Sequence, residues 1–409
     1  LHTQKDLYTQ NLSQYDDRSL YFMRANKLEL TLPLNKSDIL ASFKSLGVTP
    51  EVIQGLEALG IVKPTEIQVQ SIPKLIKSPI DFIGMAQTGT GKTAAYSIPI
   101  IQNIDPNEPK IQALILCPTR ELGQQIAKQI FKFTKFTEKI FVEAVYGGEK
   151  IEAQISALRR KTHILVATPG RLLDLQRRKA VDLRQIKTVV LDEADEMLSV
   201  GFKKDLDLIL EQTSRGSNTW LFSATMPKEI TQIINSYMDP AAVKVEINRD
   251  QRVNADIAHQ YAICEQAQKI EALVFFLKSH KDERGIVFCK TKRVTKQLHE
   301  QLTAKNYQVG CIHGDLKQIE RDKVMRAFKG DKLKVLIATD ISARGIDVDN
   351  LAYVFHYQLP DQVEYYTHRS GRTARAGKKG VSILLVTPKE IKDMRLISQQ
   401  LHIEFKQLQ

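Results

Sequence analysis

Three groups of residues have the types and spacing to handle phosphate. Ala86-Gln87-Thr88-Gly89-Thr90-Gly91-Lys92-Thr93 follows the apolar run Ile80 to Gly84 and opens a helical stretch. Glycines in such a loop let backbone N–H groups wrap phosphate oxygens without Cβ clashes. Lys92 then supplies a point charge for the β and γ phosphates, and the Thr93 hydroxyl can ligate Mg2+. Ala86 stands where these loops usually begin with glycine, so the strict pattern is relaxed at one position. Gly89-x-Gly91-x-x-Ala94 also fits a loose dinucleotide fingerprint, but no acidic residue ends a strand about twenty residues on, as hydride chemistry requires. Further along, Asp192-Glu193-Ala194-Asp195 caps an apolar run. Beside a phosphate loop, that pairing supplies one carboxylate for a metal, Asp192, and a neighbour to orient or deprotonate water, Glu193. The third group, Tyr366 to Arg375, places Arg369, Arg372 and Arg375 three residues apart with no phosphate loop nearby. Guanidinium groups brought across a cleft can neutralise charge on a γ-phosphate in the transition state. Alone, the acidic group reads as a solvated turn and the basic one as a solvated helix; with the loop, the set reads as nucleotide hydrolysis.

These residues need elements to hold them. Apolar, β-rich runs alternate with longer amphipathic stretches, as in Ala113 to Leu116, Ile164 to Val166, Thr188 to Leu191 and Trp220 to Phe222. The pattern recurs in Ile286 to Phe288, Gly310 to Ile312, Val335 to Ile337 and Ser382 to Val386. Such alternation predicts an α/β fold of two tandem units, each a parallel sheet flanked by helices. Nearly every polar cluster directly follows a strand-like run: Pro118-Thr119-Arg120, Thr168-Pro169-Gly170-Arg171 and Asp192-Glu193 in the first unit, Lys290, His313-Gly314-Asp315 and Thr339-Asp340 in the second. Open parallel sheets bind ligands at the carboxyl ends of their strands. Two such edges on either side of a linker predict a cleft that opens and closes.

The expected divisions are a weakly structured extension over 1–40, a first domain over 41–245, a linker over 246–255 and a second domain over 256–409. The chain begins with Leu1, and Met23 lies downstream, so part of the extension reads as upstream of a start; after the last strand-like run there is room for one helix and no further domain.

Composition narrows the partners. The chain has 409 residues, 43 % hydrophobic and 26 % charged, and 59 Lys plus Arg exceed 47 Asp plus Glu by 12, spread along its length. That excess fits a polyanionic partner, nucleic acid before membrane, and equally a merely basic enzyme. Cys117, Cys264, Cys289 and Cys311 lie far apart without a CxxC pair and read as buried thiols. No apolar run approaches the roughly 18 residues that span a bilayer, and the start lacks a signal-peptide pattern, so a cytoplasmic location is expected.

Taken together, the motifs from 43 to 387 closely resemble the DEAD-box RNA helicase family. Lys63-Pro64-Thr65-Glu66-Ile67-Gln68, with Phe43 upstream, is similar to its adenine-reading Q motif, in which Gln68 hydrogen-bonds the base. AQTGTGKT at 86–93, DEAD at 192–195 and Ser223-Ala224-Thr225 resemble motifs I, II and III. Pro118, Thr119, Arg120, Gly148, Thr168 and Arg171 match its RNA-backbone contacts on the first domain. Ile286 to Thr291 suggests motif IV, followed by Gln318 and Arg321 as a QxxR element; Gly314 and Thr339 join these on the RNA side. Motif V spans Ala338 through Gly345 and Asp347, with Asp347 at the ribose. Arg372 and Arg375 resemble the arginine fingers of motif VI. The chain departs from the family at Gly60-Ile61, where an aromatic often follows the glycine, at Gly123 in place of alanine, and at Ser370 and Ala374 in place of isoleucine and glycine.

The resemblance implies two RecA-like domains that close on ATP, Mg2+ and RNA together, with Asp195, Ser223 and Thr225 coupling the metal site to the RNA edge. It also implies sequence-independent RNA binding by a monomer, with any recruiting protein unspecified, and local, non-processive unwinding. Two other readings use the same motifs: an ATP-gated RNA clamp or assembly scaffold with little unwinding, and a DNA-directed ATPase of the same superfamily.

Overall fold

In the computed structural model, the described residues are 42–87, 89–213, 216–247, 256–343, 351–374 and 378–408. They form two all-parallel sheets of seven strands each, flanked by helices. The first holds β1 (Phe82–Met85), β2 (Ala113–Leu116), β3 (Val142–Val145), β4 (Ile164–Ala167), β5 (Thr188–Asp192), β6 (Asn218–Ser223) and β7 (Val243–Glu246). The second holds β8 (Ile257–Ile263), β9 (Gly285–Cys289), β10 (Val309–Ile312), β11 (Val335–Thr339), β12 (Tyr353–His356), β13 (Gly380–Val386) and β14 (Lys406–Gln407). Their orders, β3-β4-β2-β5-β6-β1-β7 and β10-β11-β9-β12-β13-β8-β14, repeat one topology.

The central strands are short continuous apolar runs because helices cover both faces, and β1, β2, β4 and β12 are buried at every position. Behind them, Leu114, Leu165, Val189 and Leu221 share one core cluster of the first sheet, and Val287, Ile337, Phe355 and Ile383 one of the second. The edge strand β3 is only half-buried. Residue β7 Glu246 remains in the sheet, opposite Met85, so the strand takes in the first residue of the expected linker, whose residues 248–255 lie outside the described set. Only two of the four cysteines are the buried thiols that their isolation suggests: Cys117 and Cys289 are buried, whereas Cys264 and Cys311 are partly exposed.

Register places the chemistry. Met85 lies opposite Ser223, and Asp192 opposite Phe222, so the loops that leave β1, β5 and β6 start side by side. On the other half of that edge, Leu116 pairs with Ala167 and Val145 with Ala167, which gathers the loops after β2, β3 and β4. The second sheet does the same with Ile312, Ala338, Phe288, Thr339 and Cys289.

Candidate active site and nucleic-acid interface

The loop after β1 turns back at Gly89 (φ +82°) and Gly91 (φ +94°) before the helix Lys92–Asn103 begins. A Cβ at 91 would also stand 2.4 Å from Gln68 Nε2 and so would displace the Gln68 carboxamide. Gln68 reaches into the loop from the helix Glu66–Lys77, donating to the Gly91 carbonyl at 3.0 Å while its Oε1 accepts from the Thr65 amide at 2.9 Å. A carboxamide offers two hydrogens and two lone pairs, so one of each remains for a base. Lys92 is 6 % exposed and donates to the Ala86 carbonyl at 2.6 Å, and Thr90 Oγ1 donates to the Gln87 carbonyl at 2.8 Å. The Ala86 amide donates in turn to the Ser223 carbonyl at 3.1 Å, tying loop to neighbouring strand. Phe43 is buried in the turn that precedes these elements.

Asp192 ends β5 at 3 % exposure. Burial raises its pKa above the ordinary carboxylate value while the Lys92 charge pulls it down. Tyr96, one turn into the helix that Lys92 opens, donates to Asp192 Oδ2 at 2.8 Å and also hydrogen-bonds Thr93, so the two candidate metal ligands share a partner. Glu193 follows at φ +50°, a left-handed conformation that costs a non-glycine residue about 1 kcal/mol. Burial, then the Asp192 charge, push its carboxyl up to about 7, against the opposing charges of Arg372 and Lys92. Asp195 Oδ2 accepts from both the amide and the hydroxyl of Thr225, at 2.9 and 2.8 Å. Ser223 also hydrogen-bonds Asp195, through the backbone: its Oγ accepts the Asp195 N–H at 3.3 Å and donates to the Thr225 carbonyl at 2.8 Å.

The other half of the edge gathers cationic and amide groups. Thr119, after β2 and the buried Pro118, caps the helix Arg120–Phe133 by accepting the Leu122 amide. Arg120 lies over the Tyr146 ring at 4.7 Å, and its Nη1 would be 3.5 Å from a Cβ at Gly148 (φ +84°). Its Nη2 meets Glu149 at 3.1 Å, while Nε and Nη1 are buried with no hydrogen-bond partner among the described residues. Arg171, in the helix that Thr168 and Pro169 open, reaches the Glu149 carbonyl at 3.0 Å and Gln154 at 2.8 Å, so Arg120 and Arg171 converge on one loop. Gly123, the departure from alanine, is explained by its neighbour: an added Cβ would approach Cys117 Sγ to 3.2 Å.

The two sheets meet through these edges. Arg321, which donates to the Ser342 carbonyl at 2.7 Å, pairs with Glu121 at 2.6 Å, and Arg120 Nη2 reaches Asp322 at 3.4 Å. Gln318 donates to Asp322 at 2.7 Å, beside the exposed Gly314 loop, and Thr339 Oγ1 lies 2.8 Å from Ser342 Oγ. His368 is ion-paired with Glu196, and the Arg372 charge acts on Glu193. Thr88, Gly345, Asp347 and Arg375 lie outside the described residues. Sequence reasoning missed Tyr96, Glu149, Glu196 and Asp322 as site residues, and took in Glu121 and His368 only as members of longer motifs with no role of their own. For Tyr96, its position one helical turn after the loop lysine is a usable signal; the others depend on which loops face each other.

A phosphate loop and two carboxylates on one parallel sheet, with the charge of Arg372 from the second acting on Glu193, are the parts of a nucleoside-triphosphate hydrolase built of two cooperating lobes. Comparison sharpens that class. Residues 65–233 match the DEAD/DEAH box helicase family model and residues 268–377 the helicase conserved C-terminal domain. The chain is 40 % identical over 361 residues to the DEAD-box ATP-dependent RNA helicase CshA of Bacillus cereus, covering 88 % of this chain and 68 % of that one. It superposes on Saccharomyces cerevisiae Dbp5 bound to RNA and ADP BeF3 with a TM-score of 0.83, at 32 % identity over 90 % of this chain and 95 % of that one. A DEAD box protein from Methanococcus jannaschii, 40 % identical over 90 % of this chain and 99 % of that one, superposes with a TM-score of 0.53. The chain belongs to the DEAD-box family: it is an ATP-dependent RNA helicase built of tandem RecA-like domains. Among the described residues, no helix is long and apolar enough to cross a membrane.

Proposed function

We propose that this helicase separates short RNA duplexes locally, by closing two domains (41–245 and 256–409, joined by 246–255) over ATP and one RNA strand, without processive travel. The observation that carries this reading is the set of cross-sheet pairs, Glu121 with Arg321, Arg120 with Asp322 and Glu196 with His368, which lie along the same edge as the phosphate loop and carboxylates. Support also comes from the closer superposition on Dbp5 bound to RNA and ADP BeF3 than on the Methanococcus chain, which is nearer in sequence. Both edges come from one chain, so the proposed site needs no second copy, and the reading takes the active form as a monomer.

Phe43, Gln68, Gly345 and Asp347 hold the nucleoside end of ATP, and the loop 86–93 its phosphates. Lys92 and Arg372, joined by Arg375, draw off charge from the transferring phosphoryl group, and Glu193 orients and deprotonates water. The donor set suits Mg2+: Asp192 is a buried hard carboxylate at the end of β5, and the Thr93 hydroxyl shares its Tyr96 partner. When bound, Mg2+ withdraws charge from phosphate oxygens. Asp195, Ser223 and Thr225 link this centre to the RNA edge.

On that edge Pro118, Thr119, Arg120, Gly148, Thr168, Arg171, Gly314, Gln318, Arg321 and Thr339 offer amides, hydroxyls and guanidinium groups. These groups position phosphates and carry no base information. Arg120 Nε and Nη1, buried with no partner among the described residues, are donors suited to a phosphate. A strand gripped over a few nucleotides melts only a few base pairs, each step resisting by about 1.4 kcal/mol on the DNA stacking scale.

Steady-state ATPase and unwinding assays test this reading. Single-stranded RNA should stimulate wild type, DNA of the same sequence should not, and salt should weaken the effect. Glu193→Gln should lose about 100-fold or more in kcat. Unwinding should fall steeply as the duplex lengthens; efficiency that holds over tens of base pairs would contradict non-processive action. Long-lived RNA binding with hydrolysable ATP and negligible unwinding would favour the clamp.

A further inference from the structure

Arg372 follows the helix Val363–Ser370, whose last two residues are buried and held by opposite kinds of bond. Arg369 grips Asp340 through a two-pronged ion pair of 2.5 and 2.7 Å, donates to the Gln358 carbonyl at 2.9 Å and lies over the Phe288 ring at 5.2 Å. Ser370 is neutral and enters a chain of hydroxyl and imidazole groups. Its Oγ lies 2.8 Å from Ser382 Oγ and 3.5 Å from His356 Nε2. Ser382 lies 3.0 Å from His356 Nε2 and 3.3 Å from Tyr366 Oη, which in turn lies 2.5 Å from His259 Nδ1.

Ser370, Ser382 and His356 are all at 0 % exposure, so every hydroxyl in the chain needs its neighbour. Burial keeps both histidines neutral, His259 being pushed down to about 4 and His356 well below its usual range. The imidazoles therefore act here as fixed hydrogen-bonding groups. The turn beyond hangs on the two held residues: the Arg372 amide donates to the Arg369 carbonyl at 3.1 Å, and the Thr373 amide to the Ser370 carbonyl at 3.2 Å. Thr373 Oγ1 then anchors the far side by donating to the Leu351 carbonyl.

We infer that Ser370 is a positioning residue for Arg372, acting through the buried Ser370–Ser382–His356 network. The Ser370 hydroxyl fixes the end of the helix to β13 and β12, and so sets where the backbone of Arg372 leaves it. The network spans β8, β12, β13 and the helix, so the guanidinium is aimed by three adjacent strands of the second sheet. This inference rests on the reading of Arg372 as the group that meets the phosphates.

A double-mutant cycle in the full chain tests it, with kcat and KM for ATP measured at saturating RNA. Ser370→Ala should lower kcat by roughly 10- to 100-fold, the scale of a displaced reacting group, with KM for ATP and RNA affinity changed less than about twofold. Adding Ser370→Ala to Arg372→Ala should cause no further loss, because the hydroxyl acts only through the arginine. Ser382→Ala should reproduce Ser370→Ala, and the two together should be no worse than either. Thermal melting identifies a variant that fails to fold, in which case Ser382→Ala carries the same cycle with Arg372→Ala. A folded Ser370→Ala enzyme with wild-type kcat, or effects that multiply with Arg372→Ala, would overturn the positioning role. If Arg372→Ala itself keeps full kcat, the reading of Arg372 fails instead.

Discussion

The two sheets share one strand order, yet the same topological slot does opposite work in each. In the first, the loop after β1 leads to Lys92, the first residue of its helix, which is 6 % exposed and donates to a carbonyl of its own loop. In the second, the connection after β8 leads to Lys269, also first in its helix and fully buried. Lys269 is bound by the Glu390 carboxylate at 3.1 Å and the Leu385 carbonyl at 3.1 Å. One lysine is held near a buried carboxylate, Asp192, that does not hydrogen-bond it; the other is neutralised inside the protein. The difference is in the loop. Gly89 and Gly91 bend the first connection through positive φ, whereas the second uses the short turn Gln266–Gln268 and supplies its lysine with a partner acid. The fold thus offers the same slot twice, and on the reading proposed above the side chains in it decide that one lobe binds ATP while the other lends arginines.

The largest effects should separate the two lysines. Lys92→Ala should cut kcat/KM for ATP by about 10² to 10³, on the scale of losing one transition-state donor, with little change in melting temperature. Lys269→Met should do the reverse, costing about 2 kcal/mol of stability by leaving Glu390 without its cation, with ATP turnover per folded molecule retained. Since Glu390 is itself partly exposed, the pair Lys269→Met with Glu390→Gln should recover most of that loss. Weakened ATP binding in Lys269→Met would break the contrast.

A smaller effect should appear where the lobes touch. Burial alone would push His368 down, but the Glu196 carboxylate, aided by Asp195 and Glu193, raises it above 6.5. A histidine raised in the paired state contributes fully below its ordinary pKa, and that contribution is lost as pH rises through the raised value. RNA retention with a non-hydrolysable ATP analogue should therefore weaken severalfold from about pH 6 to about pH 8.5, and His368→Gln should flatten the slope. An unchanged slope in His368→Gln would assign the pH dependence elsewhere.

The smallest effect belongs to Ala374, at φ +54° and 1 % exposure. Glycine would relieve about 1 kcal/mol of left-handed strain but forfeit about 0.8 kcal/mol for the buried methyl. Calorimetry of Ala374→Gly should show a change below about 1 kcal/mol. A larger gain would mean that the methyl contributes nothing.

Much of this arrangement was legible in the sequence because its signals are local. A parallel strand covered on both faces must be a continuous apolar run, and Ala113–Leu116 reads so. A loop that wraps phosphate must carry glycine at fixed offsets, as at Gly89 and Gly91. The half-buried β3 and the two-residue β14 carry too little apolar surface to announce themselves. Nor does any local pattern announce pairs such as Glu196 with His368 or Glu121 with Arg321, since each is set by how two sheets face each other. Ser370 shows the limit well: in the sequence it is an oddity beside Arg369, and only the strands beneath supply Ser382 and His356 as its reason.

The central claim is that ATP and RNA bind one closed arrangement of the two lobes. It is tested most directly by the affinity for a non-hydrolysable ATP analogue, measured with and without single-stranded RNA. RNA should tighten that binding by about tenfold or more, DNA of the same sequence should not, and the analogue should tighten RNA by the same factor. An affinity for the analogue that is indifferent to RNA would contradict the account, leaving two binding edges that share a chain but not a closure.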